Sequence, residues 1–227
     1  MQNDFYSCFF CNKDKQIDQF IWEDTIWDFV DMKWWSRRYE YRWGIDVSKK
    51  YFGSGISSKT FLDVGTGKKH PFMFMMKSIG FKSCTGVDLF DEDKYHYKKY
   101  LNDSIHYCAK DISQNKLGIF NCVSCISVLE HMDKSMQEKL IVSICQSTIE
   151  GGCVILTFDV EDCFSMSLPL FFMSVLEDNG VYCWKKEVST NILCSQDNHY
   201  ANDIDRQRAI YCYRIFGEKR TSHFTRI

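Results

Sequence analysis

The sequence predicts an α/β domain built on a mostly parallel sheet. From residue 60 onward, short apolar runs typical of buried strands alternate with helical segments. The first run, residues 60–64, stops at Gly65 and Gly67, and a helical segment follows them. A strand, a glycine turn and a helix in this order bring backbone N–H groups close to a nucleotide-like ligand. With 45% apolar residues in a chain of 227, we expect residues 59–227 to bury one sizeable core.

Residues 1–58 differ from the rest, since five of the six tryptophans lie there. Residues 16–43 are predicted to be helical, with an apolar stripe that includes Trp22 and Ile26. The stretch 37–43 is dense in both charged and aromatic side chains. We expect an aromatic-rich helical cap, packed on the sheet and able to line a site, joined to the first strand by a short linker at 54–58.

The remaining elements follow from apolar runs and their punctuation. Asp133 is placed to cap a helix whose apolar stripe includes Met136 and Leu140, and the pair Gly151 and Gly152 breaks that helix. Further strands are predicted at 84–88, 105–108, 122–128, 153–158, 181–188 and 209–216, and helices at 71–76, 91–101, 134–148 and 168–176.

Charge and cysteine usage limit the possible classes of partner. The net charge of −2 gives no electrostatic reason to expect a nucleic-acid partner. The sequence has no run of 18 apolar residues, so we expect no membrane span. The 12 scattered cysteines, with no apolar leader, predict reduced thiols and a cytoplasmic setting. Cys122 and Cys125 are expected in the core, whereas Cys8 and Cys11 would be half a zinc site with no matching second pair.

The glycine turn excludes one ligand class and disfavours another. A P-loop is rejected because Leu62 stands where its first glycine would be and Lys69 follows Lys68. His70 argues against the close packing that a dinucleotide pyrophosphate needs. S-adenosylmethionine, which has no phosphates, and an ordinary α/β turn with no ligand both stay open.

Four segments, 63–67, 86–88, 109–112 and 127–131, resemble the motifs of class I S-adenosylmethionine-dependent methyltransferases in order and spacing. The last is similar to the small-molecule branch, which includes many sugar and quinone methyltransferases. Over residues 60–216 the resemblance implies a Rossmann-like sheet of seven strands, the last antiparallel, with helices on both faces. It also implies S-adenosylmethionine as cofactor, S-adenosylhomocysteine as product, and cofactor contacts from Asp63, Gly65, Thr66, Gly67, Asp88, Leu89, Asp111, Ile112, Ser127 and Val128.

Three of the predicted site residues also have ordinary structural explanations. Asp88 ends the second strand and can accept both ribose hydroxyls, but it can equally be a solvated carboxylate. Asp111 suits either the adenine amino group or a helix N-cap. His131 follows the fourth strand at the carboxyl edge of the sheet, where it can act as general base or cap the next helix.

The expected reaction is transfer of a methyl group to a hydroxyl of a sugar or glycan. An alcohol must lose its proton, which assigns His131 as base, Glu130 as its orienting partner and Asp159 as second choice. No metal ligands are assigned, although a divalent metal bound by these groups is a possibility. Arg38 lies in a stretch resembling methyltransferases found with glycan-building enzymes, where it can pair with the cofactor carboxylate. The alternatives are a phenolic or quinone-type acceptor, or a non-catalytic Rossmann-like binding protein.

Overall fold

The structure, a computed structural model, describes residues 35–67, 72–90, 101–160, 167–184 and 211–220, with side chains described except at 35–39, 160 and 211–212. Its helices are α1 (Trp35–Phe52), α2 (Phe72–Ser78), α3 (Lys134–Gln146) and α4 (Ser167–Asp178), with short 3-10 helices at Gly53–Ser58 and Leu129–His131. Its strands are β1 (Thr60–Val64), β2 (Ser83–Asp88), β3 (Ile105–Ala109), β4 (Phe120–Ile126), β5 (Thr148–Val160), β6 (Val181–Cys183) and β7 (Tyr211–Lys219).

The seven strands form one sheet in the order β3-β2-β1-β4-β5-β7-β6. All neighbours pair in parallel except β7, which is antiparallel to both β5 and β6. The order reverses between β1 and β4, so the carboxyl ends of these two strands flank the crevice where open α/β sheets bind ligands. The predicted fold, including the antiparallel last strand, is confirmed.

Side chains of the central strands alternate between two cores, because successive residues of a strand point to opposite faces. Phe61 and Cys122 lie in the core that also contains α1 and α2 side chains. Leu62 and Val123 lie in the opposite core, with side chains of α3 and α4. Helices therefore cover both faces of the sheet, and the near-continuous apolar sequence of β4 reflects its burial on both sides.

Helix α1 belongs to the first of these cores. Tyr41, Trp43 and Ile45 are buried there, and the Tyr41 ring stacks on Phe72 with 4.8 Å between centroids. The helix continues past the predicted end at residue 43, through Gly44, to Phe52. Glycine at position 44 allows α1 to pack closely on Phe72, because a Cβ there would lie 2.7 Å from Cζ of that ring. This glycine is therefore a packing site between α1 and α2.

The helix α3 confirms one prediction and corrects another. Asp133 caps it as expected, with a carboxylate oxygen 2.9 Å from the Met136 backbone nitrogen. Met136, predicted in the apolar stripe, is 50% exposed, whereas Gln137 is buried. The Gln137 side-chain amide donates to the Leu129 carbonyl at 2.9 Å. A polar side chain is therefore buried at this position, where it connects α3 to the segment after β4.

Two predicted strands also have different boundaries. Strand β4 spans Phe120–Ile126 rather than 122–128. Strand β5 begins at Thr148 rather than near 153, and Gly152 lies within it, where a Cβ would be 2.6 Å from the Asn121 carbonyl oxygen. The predicted helix at 91–100, the strand residues 185–188 and 209–210, Cys8, Cys11 and the stripe through Trp22 lie outside the described residues. Within the described part, no helix is both long and apolar enough to cross a membrane.

Candidate functional site

The turn after β1 has the conformation that its glycines predict. Gly65 and Gly67 have φ angles of 70° and 68°, in the left-handed region that glycine adopts without steric cost. The backbone nitrogens of Gly65 and Thr66 both donate to the Val87 carbonyl, at 2.8 and 3.2 Å, so β2 fixes the turn. A Cβ on Gly65 would lie 2.4 Å from a Val128 methyl, whereas one on Gly67 would meet nothing within 4 Å. The turn is therefore closely packed against Val128 at Gly65 and open at Gly67.

Asp63 is buried at the end of β1, immediately before this turn. Its Oδ1 accepts a 2.6 Å hydrogen bond from the Ser124 hydroxyl of β4. Burial raises the pKa of Asp63 to about 7, and hydrogen bonding from Ser124 and from Thr66 opposes that rise. The Thr66 side chain is likewise buried beside this carboxylate. Two buried polar groups beside an open turn fit a polar ligand such as the methionine moiety of S-adenosylmethionine.

Asp88 connects this turn to the end of β2. Its Oδ2 accepts from the Gly67 backbone nitrogen at 2.9 Å, and its Oδ1 accepts from the Leu89 nitrogen at 2.7 Å. Each carboxylate oxygen has two lone pairs, so both retain capacity for a further donor such as a ribose hydroxyl. Leu89 is 69% exposed beside it and offers an apolar surface. The structure thus brings the first and second predicted motifs into direct contact.

Asp111 stabilises a turn and not a helix N-terminus, since residues 112–114 form a turn. Its Oδ1 accepts from the Ser113 nitrogen and its Oδ2 from the Gln114 amide, both at 2.9 Å. Hydrogen bonding from the Ser113 hydroxyl is the largest cause that lowers the pKa of Asp111. Ile112 is buried behind it. Asp111 stabilises its own loop at the carboxyl end of β3, and its contact with adenine stays a prediction.

The loop after β4 carries the predicted catalytic residues. The side chain of His131 is exposed at the end of the 3-10 helix Leu129–His131. An oxygen of Glu130 accepts from the Asp159 backbone nitrogen at 3.2 Å, which joins this loop to the end of β5. All three residues therefore lie at the carboxyl end of the sheet, as predicted. The hydrogen bond between the two segments joins Glu130 to Asp159, and the His131 imidazole takes no part in it.

Sequence reasoning missed Glu40. This residue of α1 is fully buried, and its Oε1 accepts 2.5 Å hydrogen bonds from the hydroxyls of Ser127 and Thr157. It therefore lies against the carboxyl ends of β4 and β5. The only signal was a carboxylate in an otherwise basic and aromatic stretch, and no local pattern indicated partners 87 and 117 residues away.

Other predicted ligands are not assembled into a metal site in the part of the chain that is described. Among those residues, no three His, Cys, Asp or Glu side chains are grouped to hold an ion. Cys122 and Cys125 are buried free thiols, as expected of core cysteines. The side chain of Arg38 lies outside the described part, so its predicted pairing with a cofactor carboxylate stays a prediction.

Comparison with known proteins agrees with this geometry. A family model described as a methyltransferase domain matches residues 34–200. A search of curated proteins gives no match by sequence.

Three solved structures share the fold at low sequence identity. The magnesium protoporphyrin IX methyltransferase of Synechocystis PCC 6803, solved with bound S-adenosylmethionine, is 16% identical, with a TM-score of 0.53 over 81% of each chain. The N-methyltransferase NodS of Bradyrhizobium japonicum WM9 is 13% identical, with a TM-score of 0.54 over 79% of this chain and 96% of NodS. A geranyl diphosphate C-methyltransferase of Streptomyces coelicolor A3(2) is 12% identical, with a TM-score of 0.53 over 78% of this chain and 76% of the enzyme.

Proposed function

Since this chain belongs to the methyltransferase-domain family, we propose that it is an O-methyltransferase that modifies a hydroxyl of a sugar or glycan. S-adenosylmethionine is its cofactor and S-adenosylhomocysteine its product. The observation that carries the cofactor site is the turn after β1, where two left-handed glycines are bonded to β2 and Asp88. The residues present fit the cofactor, because Asp63 and Thr66 place buried polar groups beside the open turn.

When bound, the cofactor supplies an electrophilic methyl group. The chain must then position the acceptor oxygen and remove its proton. His131 supports the role of base because its side chain is exposed at the carboxyl end of β4, close in sequence to Val128, which contacts the cofactor turn. Histidine is the side chain best suited to exchange a proton near neutral pH. Glu130 joins its loop to the end of β5 through the Asp159 backbone nitrogen, and Asp159 is the second candidate for base.

A sugar acceptor is favoured by the aromatic character of α1. Trp43 is buried on this helix beneath the Arg214 guanidinium, which lies 5.1 Å from the ring centroid. Strand β7 runs antiparallel, so Arg214, which pairs with Thr157, lies near the carboxyl end of β5. Aromatic rings accommodate the apolar faces of sugars. The Trp43 ring itself is buried, and its indole nitrogen is a donor with no partner in the described part.

Transfer of a labelled methyl group to panels of acceptors tests this proposal. We expect labelling of glycans or nucleotide sugars by the wild-type chain, and a loss of turnover of about 10²- to 10⁴-fold in His131→Ala with unchanged S-adenosylhomocysteine binding. Transfer to phenols, quinone precursors or amines alone would overturn the sugar assignment but not the methyltransferase one.

Two further results identify the base. Near-normal turnover in His131→Ala would move the role to Asp159 or to a metal-bound water. Loss of that turnover with EDTA would then select the metal, since Asp159 needs no ion.

A further inference from the structure

We propose that Glu40 is a positioning residue, which holds Ser127 in a left-handed conformation and thereby sets Val128 against the cofactor turn. The inference rests on the proposed cofactor site. It gives α1 an indirect role in cofactor binding, because Glu40 acts through Ser127 and Val128 and need not touch the cofactor itself.

The first step is the carboxylate itself. Both hydroxyl donors approach the same Glu40 oxygen at 2.5 Å, a distance within the range of hydroxyl bonds to an ionised carboxylate. Glu40 is 0% exposed, so these donors replace water that the side chain gave up on folding. A buried carboxylate with two short bonds fixes the position of both hydroxyls.

The second step is the strain at Ser127. Its φ angle of 48° is the one positive value among the described residues other than glycine. Such a conformation is unfavourable for any residue with a Cβ and persists only where the surroundings hold it. Ser127 is held from two sides, by its nitrogen donating to the Thr157 carbonyl at 2.9 Å and by its hydroxyl donating to Glu40.

The third step leads to the turn. Val128 follows Ser127 directly, and its methyl group occupies the space that a Cβ on Gly65 would need, 2.4 Å away. If Ser127 relaxed to a negative φ, the Val128 side chain would move relative to Gly65. A continuous series of contacts therefore runs from Glu40 through Ser127 and Val128 to the turn.

The test measures S-adenosylhomocysteine affinity by calorimetry in a double-mutant cycle. We expect Glu40→Gln to weaken binding about tenfold in the wild-type background, because a neutral acceptor holds the Ser127 hydroxyl less firmly. In the Ser127→Gly background the same change should cost less than about twofold, because glycine adopts the left-handed conformation without help. Ser127→Ala, which leaves Glu40 in place, should weaken binding about as much as Glu40→Gln, since it loses the same bond.

Thr157→Val is the matched control. It removes the other hydroxyl from the same Glu40 oxygen but leaves the Ser127 bond, so affinity should stay within about twofold of wild type. Urea unfolding of every variant separates loss of affinity from loss of fold.

Equal losses from Glu40→Gln in both backgrounds would overturn the inference, as would wild-type affinity in Ser127→Ala or an equally large loss in Thr157→Val. An absence of S-adenosylhomocysteine binding by the wild-type chain would instead overturn the proposed function, and with it the basis of this inference.

Discussion

The two halves of the crevice are built differently. At the ends of β1 and β2, the site consists of a glycine turn and carboxylates that belong to short sequence motifs, and Asp88 reaches across only 21 residues to Gly67. At the ends of β4 and β5, Glu40 joins segments that lie 87 and 117 residues away in the chain. The first half depends on local backbone conformation, whereas the second depends on the docking of α1. We therefore expect substitutions in the first half to act on the turn directly, and substitutions at Glu40 to act on it through Ser127.

The largest effect is expected at Gly65, where the two halves touch. Gly65→Arg should weaken S-adenosylhomocysteine binding by more than about 100-fold, because any side chain at φ 70° meets Val128 and the left-handed conformation is itself unfavourable. Gly67→Ala is the control, with the same backbone conformation but open space at its Cβ, and should cost about tenfold or less. Calorimetry on both variants measures the difference, and equal losses would mean that contact with Val128 is unimportant.

A smaller effect, specific to the cofactor half, is expected from Asp63. Its folded-state pKa of about 7 exceeds the usual value of 3.8, so its stabilising contribution is complete below 3.8 and is lost as the pH rises through 7. Between pH 5.5 and 8 this group should lower the free energy of unfolding by about 2 kcal/mol. Asp63→Asn should remove that slope, as measured by urea unfolding at both pH values. An unchanged slope in the variant would show that Asp63 keeps an ordinary pKa.

The same contrast explains what could be predicted from the sequence. The glycine turn, the acid ending β2 and the cap at Asp133 were predictable because each depends on neighbours close in the chain. Glu40 was not, since its partners are brought together only by the fold. Gly152 was predicted to help break a helix, yet it lies within β5, where the Asn121 carbonyl approaches closely, and Gly44 lies within α1 against Phe72. No local pattern reveals either contact. The motifs and their positions were thus predictable from the sequence, whereas the contacts of Glu40 depend on the packing of α1.

Hydrogen exchange of the full chain, with and without S-adenosylhomocysteine, tests the central claim most directly. The claim is that the cofactor binds at the ends of β1 and β2, on the turn that Gly65 and Gly67 form. We expect slower exchange in peptides that cover residues 63–67 and 86–90, and little change in peptides from α4, which packs against α3, β6 and β7. Saturating ligand that left both turn peptides unprotected, or that protected only α4, would contradict it.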